Sequence, residues 1–291
     1  MLGYRLFLVI DFVIMHLPAS WRKGLFTTLS SLAHRLAFSR NTIIQNNLSF
    51  TLGDTVDTAT KKTIESYCYR NLALNLLQVM ENRHNSAEDL ARQVTFENRE
   101  KVDAYLAHNR PIIFISAHFG NWELGATALA SLITPTTAIY KKLANEAFNP
   151  YLVEARERHH LTLVDKNGAL KHLTRALKQG QCVSLLIDQA SNAASGISVD
   201  FFGHPTYHTA AAAQLSKKYN APIIPLYILT EDEHHYTIRF EDPIEVGEED
   251  DIHQATQTQV TQLETIIRAN PHFWFWCHKR WKGENPEMYR P

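Results

Sequence analysis

The sequence predicts an α/β fold: a mostly parallel mixed sheet flanked by helices, with a helical N-terminal segment. Three observations carry this. Beyond residue 85, short apolar runs alternate with helical stretches. Runs such as Pro111-Ile112-Ile113-Phe114-Ile115-Ser116-Ala117 are continuously apolar, the pattern of strands buried on both faces of a parallel sheet. The first 85 residues hold helical spacing and no strand pattern.

Taken in order, residues 2–17 form an apolar run interrupted by Arg5, Asp11 and His16, and residues 20–37 read as a helix. Gly53 and Asp54 mark 51–57 as a loop. Over 58–83, Ile64, Tyr67, Cys68, Leu72, Leu76, Val79 and Met80 recur at three- and four-residue steps, so this stretch is a helix. The candidate strands are Val94–Phe96, Ile112–Ala117, Thr136–Tyr140, Leu161–Val164, Val183–Ile187, Ile223–Leu229 and Tyr236–Phe240. Between them lie helical patterns at 99–108, 122–133, 146–159, 169–179 and 209–219. A last helix covers 252–269, stopped by Pro271. No repeat, low-complexity tract or linker separates the parts. A helical segment over 1–85 is therefore expected to pack on an α/β domain over 86–291.

Composition narrows the function. The 291 residues are 45% hydrophobic and 20% charged, as in an ordinary folded protein. Net charge is -1, without the basic excess of a dedicated nucleic-acid binder, so no nucleic-acid partner is expected. No apolar run of about 20 residues is present, which excludes a polytopic membrane protein. Cys68, Cys182 and Cys277 lie far apart and form neither a CxxC pair nor a disulfide framework, as expected in a reducing compartment. Cys182 opens a strand and reads as core.

The N-terminus supports two readings. Residues 2–17 lack a small-residue cleavage site, so a cleaved signal peptide is not expected. Over residues 1–45, Arg5, Arg22, Lys23, Arg35 and Arg40 against Asp11 give 5 minus 1, or +4. Bases beside an apolar helix attract anionic lipid, and Tyr4 and Trp21 suit the headgroup level. The other reading is a helix buried in the core. The joint segregation of charge and apolarity favours attachment to a membrane.

The chemistry gathers after the second strand. Residues 116–123 read Ser-Ala-His-Phe-Gly-Asn-Trp-Glu. His118 falls at the carboxyl end of a strand, where open α/β sheets place their sites. Gly120 permits a tight turn, and Glu123 sits in the first turn of the next helix, where a carboxylate is favoured. A neutral imidazole can take a proton from a hydroxyl while a carboxylate holds its other nitrogen. There is no Gly-x-Ser-x-Gly and no activated cysteine, so the nucleophile is expected to be the substrate's own hydroxyl. By itself, this pattern also suits a structural turn with a capping glutamate.

The block His118-Phe119-Gly120-Asn121-Trp122-Glu123 resembles the His-x4-acid motif of the lysophospholipid acyltransferase superfamily, and in detail the lipid A biosynthesis late acyltransferases. Three further blocks match in order. Tyr140-Lys141-Lys142 with Asn149 and Arg156 resembles an acceptor block; Lys141 stands where the family usually has arginine, a point charge in place of a fork. Asp188-Gln189, followed by Gly196 and Phe201-Phe202-Gly203, resembles the third. Pro271 to Lys282 resembles a C-terminal Trp-x-His-x-Arg-x-Lys signature that includes Arg280. Asn47-Leu48 and Glu81 also have counterparts, so the resemblance spans nearly the whole chain.

The resemblance implies an O-acyltransferase of the inner membrane, at its cytoplasmic face. The acyl donor is an acyl carrier protein thioester, and the acceptor a hydroxyl of a lipid A precursor; the alternatives are another glycolipid or phospholipid, such as a phosphatidylinositol mannoside, or a non-catalytic lipid-binding protein. His118 is the expected base, supported by Glu123, with backbone N–H groups near Phe119–Asn121 as oxyanion donors. Asn121, Tyr140, Lys141, Asn149, Arg156, Asp188, Gln189, Phe202, Gly203 and Arg280 are the expected substrate contacts, the phenylalanines as wall of an acyl channel or as plain core. No cofactor or metal is implied: Pro205 breaks the His204–His208 spacing, and no third ligand is evident. The pairs His159-His160 and His234-His235 read as solvated ends. Lys141, Lys142, Arg156, Arg158, Lys171, Arg175 and Lys178 form a basic face suited to a phosphorylated glycolipid and an acidic carrier protein.

Overall fold

The computed structural model describes residues 2–290. Four helices come first: α1 (Leu2–Met15), α2 (Ala19–Leu36), α3 (Phe38–Leu52) and α4 (Thr58–Asn82). Then follow α5 (Ala87–Gln93), β1 (Val94–Glu97), α6 (Glu100–Leu106), β2 (Ile113–Ser116), α7 (Trp122–Leu132) and β3 (Thr136–Tyr140). The chain continues through α8 (Asn149–Glu157), β4 (Leu161–Asp165), α9 (Ala169–Lys178), β5 (Cys182–Leu186), β6 (Gly196–Phe201) and β7 (His204–Thr209). It ends with α10 (Ala211–Tyr219), β8 (Ile223–Leu229), β9 (Tyr236–Phe240), α11 (Ile252–Ala269) and a segment of turns.

Seven strands form one sheet in the order β1-β9-β8-β2-β5-β3-β4, with β8, β2, β5, β3 and β4 parallel. β9 runs antiparallel to β8, and β1 parallel to β9, which makes the sheet mixed. These are the strands expected from sequence. Helices cover both faces. On one, Leu124, Ala128 and Leu129 of α7 pack with Phe114, Ile224 and Leu226. On the other, α9, α10 and α11 share a core with Ile113, Ile115 and Val183, which also takes in Ile44 and Leu48 of α3 and Ile64 and Cys68 of α4. Burying each such side chain contributes about 1.5–3 kcal/mol.

Four elements lie outside the sequence expectations: α3, α5, β6 and β7. α3 follows α2 after the single residue Ala37; its polar first turn, Ser39-Arg40-Asn41-Thr42, hides the spacing of Ile43, Ile44, Leu48 and Leu52. α5 is one short capped helix with Ser86 and Asp89 as a capping box. β6 and β7 form a hairpin whose two-residue turn is Phe202-Gly203, both at positive φ (60° and 78°). The helix read at 146–159 begins only at Asn149, with proline in its first turn. His159 is buried, not solvated, with Nε2 2.7 Å from the Asn82 carbonyl oxygen.

α1 is held to the body chiefly through one buried carboxylate, Asp11, and through Arg22 Nη1, which donates to the Met15 carbonyl at 3.2 Å. The Asp11 carboxylate is buried, accepts from Tyr151 Oη of α8 at 2.7 Å, and pairs with Arg83 at 3.2 Å. Its other face is open, with Leu6, Val9, Ile10, Phe12 and Val13 all exposed. On α2, Trp21, Leu25, Leu29, Leu32 and Leu36 recur at helical spacing and are also exposed. No helix among the described residues is long and apolar enough to cross a membrane.

Candidate active site

Strand register assembles the site. β2 and β5 pair in parallel with Ser116 opposite Leu186, and the next rung is closed by Ile187 N–H donating to the Ser116 carbonyl at 2.9 Å. Two residues further along each strand, His118 and Asp188 meet across the gap. His118 Nδ1 donates to Asp188 Oδ1 at 3.0 Å, and Trp274 Nε1 donates to Asp188 Oδ2 at 3.1 Å. Asp188 is thereby buried with both oxygens occupied. His118 keeps Nε2 free of any partner among the described residues, and the side chain retains 22% exposure. Trp122 and Phe275 flank the imidazole at ring-centroid distances of 5.2 and 6.2 Å.

Burial by itself would raise the Asp188 carboxyl, but the charge and hydrogen bond of His118, with the Trp274 donor, bring it down to about 2. For His118, burial pushes the imidazole down; the charge and hydrogen bond of Asp188, with Glu123 behind, outweigh it, and the net direction is up. The result is a base of raised strength whose free nitrogen faces outward.

Glu123 does not hold the imidazole as expected from sequence. Its carboxylate accepts two bonds from Arg156, Nε to Oε2 at 2.9 Å and Nη2 to Oε1 at 2.6 Å, and one from Trp122 Nε1 at 3.2 Å. The reason is direction: Glu123 lies inside the first turn of α7 and points to α8, while the rung beside His118 belongs to β5. Glu123 therefore anchors Arg156, the two charges act on His118 in opposite directions, and Arg156, half-buried in this pair, is not part of the solvated basic face.

The turn 118–123 is built from behind by α4. Asn71, Asn75, Gln78 and Asn82 form a buried amide stripe. Asn75 Nδ2 donates to the Gly120 carbonyl at 3.0 Å and its Oδ1 accepts from Glu123 N–H at 3.1 Å. Asn71 Nδ2 donates to the Phe273 carbonyl, which also accepts from Gly120 N–H, each at 3.0 Å. The four amides recur at three- and four-residue steps in the sequence, a polar helical stripe that apolar spacing does not mark.

The other expected contacts divide. Asn121 caps α7: Oδ1 accepts from Leu124 N–H and Nδ2 donates to Gln78, so its amide is spent inside the protein. Of the oxyanion donors expected near Phe119–Asn121, Phe119 N–H is bonded to the Ala117 carbonyl and Gly120 N–H to that of Phe273; Asn121 N–H has no partner among the described residues. Tyr140 ends β3 at the same sheet edge as Asp188, with Lys141 and Gln189 exposed nearby in sequence. Asn149 closes the loop after β3, accepting from Leu143 N–H at 2.8 Å. Phe202 is buried against Trp274, Trp276 and Trp281, and Gly203 serves the hairpin turn, so neither lies beside His118.

Arg280 is also internal. It is 1% exposed and donates to Thr206 Oγ1, the Tyr207 carbonyl and His208 Nδ1 at 2.8, 3.0 and 3.0 Å. Burial lowers its guanidinium to about 10, with the Asp188, Glu284 and Tyr289 charges opposing. His208 is pushed down to about 3, first by burial and then by Arg280, and is a neutral acceptor. His204 instead contacts the Phe50 carbonyl at 2.9 Å. The C-terminal segment thus wraps the site: Trp274 holds Asp188, His278 Nε2 accepts from Ala190 N–H at 3.2 Å, and Arg280 fixes β7.

The dyad predicts a pH dependence. The neutral imidazole is the active form, so kcat/KM is expected to rise with pH through a midpoint above about 6.5, the ordinary histidine value. Asp188→Asn removes the charge that raises the midpoint, so the acid limb is expected to move to lower pH while the plateau falls. A pH–rate series on both proteins checks this; a limb that stays in place or moves up refutes the dyad.

The sequence matches the family model described as bacterial lipid A biosynthesis acyltransferase over residues 1–283. It is 22% identical over 275 residues to the lipid A biosynthesis myristoyltransferase of Escherichia coli (strain K12), covering 94% of this chain and 85% of that one. It is 22% identical over 207 residues to the phosphatidylinositol mannoside acyltransferase of Mycobacterium tuberculosis (strain ATCC 25618 / H37Rv), covering 69% of this chain and 65% of that one. Among solved structures, that of the 1-acyl-sn-glycerophosphate acyltransferase PlsC from Thermotoga maritima aligns over 87% of this chain and 99% of its own, with a TM-score of 0.41 and 12% identity.

Proposed function

Since the chain belongs to the bacterial lipid A biosynthesis acyltransferases, and is an acyltransferase of that family, we propose that it moves a fatty acyl chain from an acyl carrier protein thioester to a hydroxyl of a lipid A precursor. The observation that carries the catalytic part is His118, held through Nδ1 by Asp188 and free at Nε2. Nε2 takes the acceptor proton as the oxygen attacks the thioester carbon. The C–S bond breaks, and the departing thiolate takes a proton from the imidazolium, so no covalent enzyme intermediate forms. Asn121 N–H is the remaining backbone candidate for the oxyanion.

The donor reading rests on the family and on exposed Lys141, Lys142, Lys171, Arg175 and Lys178, a face suited to an acidic carrier protein. Incubation with acyl carrier protein and coenzyme A thioesters, followed by lipid mass spectrometry, tests donor and acceptor together. A preference for the carrier thioester that shrinks as salt rises is expected. Equal, salt-insensitive specificity constants remove the carrier protein. Acylation of a phosphatidylinositol mannoside but not of a lipid A precursor selects the other acceptor, which the mycobacterial relative favours.

The site of action in this reading is the cytoplasmic face of the inner membrane. At 1.5 Å per residue α1 spans about 21 Å, short of a hydrocarbon core of about 30 Å, so a seat on the membrane by the exposed faces of α1 and α2 fits better than a crossing. Deleting residues 1–17 would also strip Arg83 and Tyr151 of Asp11, so substitution is the cleaner test. Leu6, Val9, Phe12 and Val13 changed to serine are expected to release much of the protein in membrane fractionation, with folding intact. Unchanged pelleting refutes α1 as the seat.

A further inference from the structure

A cavity of about 570 Å³ shares no residue with the His118 site; Ser39, Arg40 and Thr42 of α3 line it together with Lys279, Tyr289 and Arg290 of the C-terminal segment. No carboxylate lines it. Among the described residues, none of the three cations forms an ion pair. In a chain of net charge -1 that is a local excess of positive charge, without a paired carboxylate among the described residues. The walls are fixed in advance. Tyr289 Oη donates to Asn47 Oδ1 at 2.6 Å, Asn46 Nδ2 donates to the Met288 carbonyl at 2.5 Å, and Lys279 Nζ lies 5.7 Å from the Tyr289 ring centroid.

Exposed hydrocarbon adjoins the lining residues in sequence. Leu36, the last residue of the apolar stripe of α2, and Phe38, the first of α3, are 67% and 75% exposed. A ligand seated here meets three cations, with exposed hydrocarbon close by in sequence. We propose that this cavity binds the phosphate headgroup of an anionic lipid, with the lipid's apolar part along Leu36 and Phe38. Guanidinium and ammonium groups suit phosphate oxygens, and the first turn of α3 holds no acidic residue to repel them. The phosphate has two sources: a bilayer phospholipid, or a phosphorylated glycolipid acceptor.

The test uses the whole protein in neutral detergent and soluble dihexanoyl phosphatidic acid as the probe, with dihexanoyl phosphatidylcholine as the zwitterionic control. Calorimetric titration is expected to show preference for phosphatidic acid. Arg40→Gln with Lys279→Gln is expected to weaken that binding by about tenfold or more, with the larger effect at low salt. Should the double variant not fold by its thermal midpoint, Arg40→Gln alone makes the same comparison. Equal affinity of wild type and variant for phosphatidic acid overturns the proposal. So does loss of carrier-protein binding with phosphatidic acid binding unchanged, which would make the cavity a protein-docking site. Two further arms name the source, and either supports the site. A KM raised only for a phosphorylated acceptor, not for its dephosphorylated form, identifies the acceptor. Unchanged KM with reduced binding to phosphatidylcholine vesicles containing phosphatidylglycerol identifies the bilayer. The direct titration stands whether or not the proposed transfer reaction does, so failure of one is not failure of the other.

Discussion

Replacing His118 by alanine is expected to lower kcat by about 10²–10⁴-fold, the usual contribution of a positioned general base. The fold should survive, because the imidazole is partly exposed and its ring makes one side-chain hydrogen bond, to Asp188. The substitution does leave Asp188 without the partner that most lowers its carboxyl, so a modest loss of thermal stability is expected beside the loss of turnover. Single-turnover acyl transfer by the folded variant is the measurement. Turnover within a few-fold of wild type would exclude His118 as the base.

Gly120→Ala is expected to be as damaging by a different route. Gly120 sits at φ 59°, and a Cβ built there would run into the Ile228 carbonyl oxygen and come within 3.0 Å of the carbonyl carbon. Both obstacles are backbone, in a central strand, so neither moves aside cheaply. The turn also carries its own bonds, Gly120 N–H to the Phe273 carbonyl and Asn75 to the Gly120 carbonyl. Overlap, positive φ and the lost bonds together place the cost at about 4 kcal/mol or more. Denaturant unfolding and acyl transfer should fail together. A variant of wild-type stability would mean the turn tolerates a different backbone path.

What sequence revealed follows from what it can encode locally. The strands of the large sheet were legible because their apolar runs are self-contained signals: Ile113–Ser116 and Ile223–Leu229 need no partner to be recognised. His118 was legible because it ends such a run. Asp188 was legible as a strand-end carboxylate at the same sheet edge, able to orient the acceptor or a catalytic partner; its direct bond to His118, across 70 residues, follows only from the parallel register of β2 with β5. Glu123, close in sequence, was the nearer choice and faces Arg156 instead. Arg280 and Phe202 show the same limit. Their residue types suggested substrate contact, but a residue's exposure depends on which elements close over it, and β6, β7 and the C-terminal turns close over both.

The hairpin's Phe202 makes the point sharply. A non-glycine residue at φ 60° is uncommon, and here its ring is sandwiched in the aromatic cluster while its N–H donates to Glu264 at 2.6 Å. Nothing in a pattern of apolar alternation announces that.

The clamp by Trp274 has a consequence in time. His118 and Asp188 are both in the chain by residue 188, yet the indole that holds the second carboxylate oxygen arrives 86 positions later, after β8, β9 and α11. During synthesis, at about 5–20 residues per second, a ribosome-bound chain passes several seconds with its base and acid made but its acid untethered. A polypeptide that stops short of residue 274 carries His118 and Asp188 without the indole that orients the carboxylate.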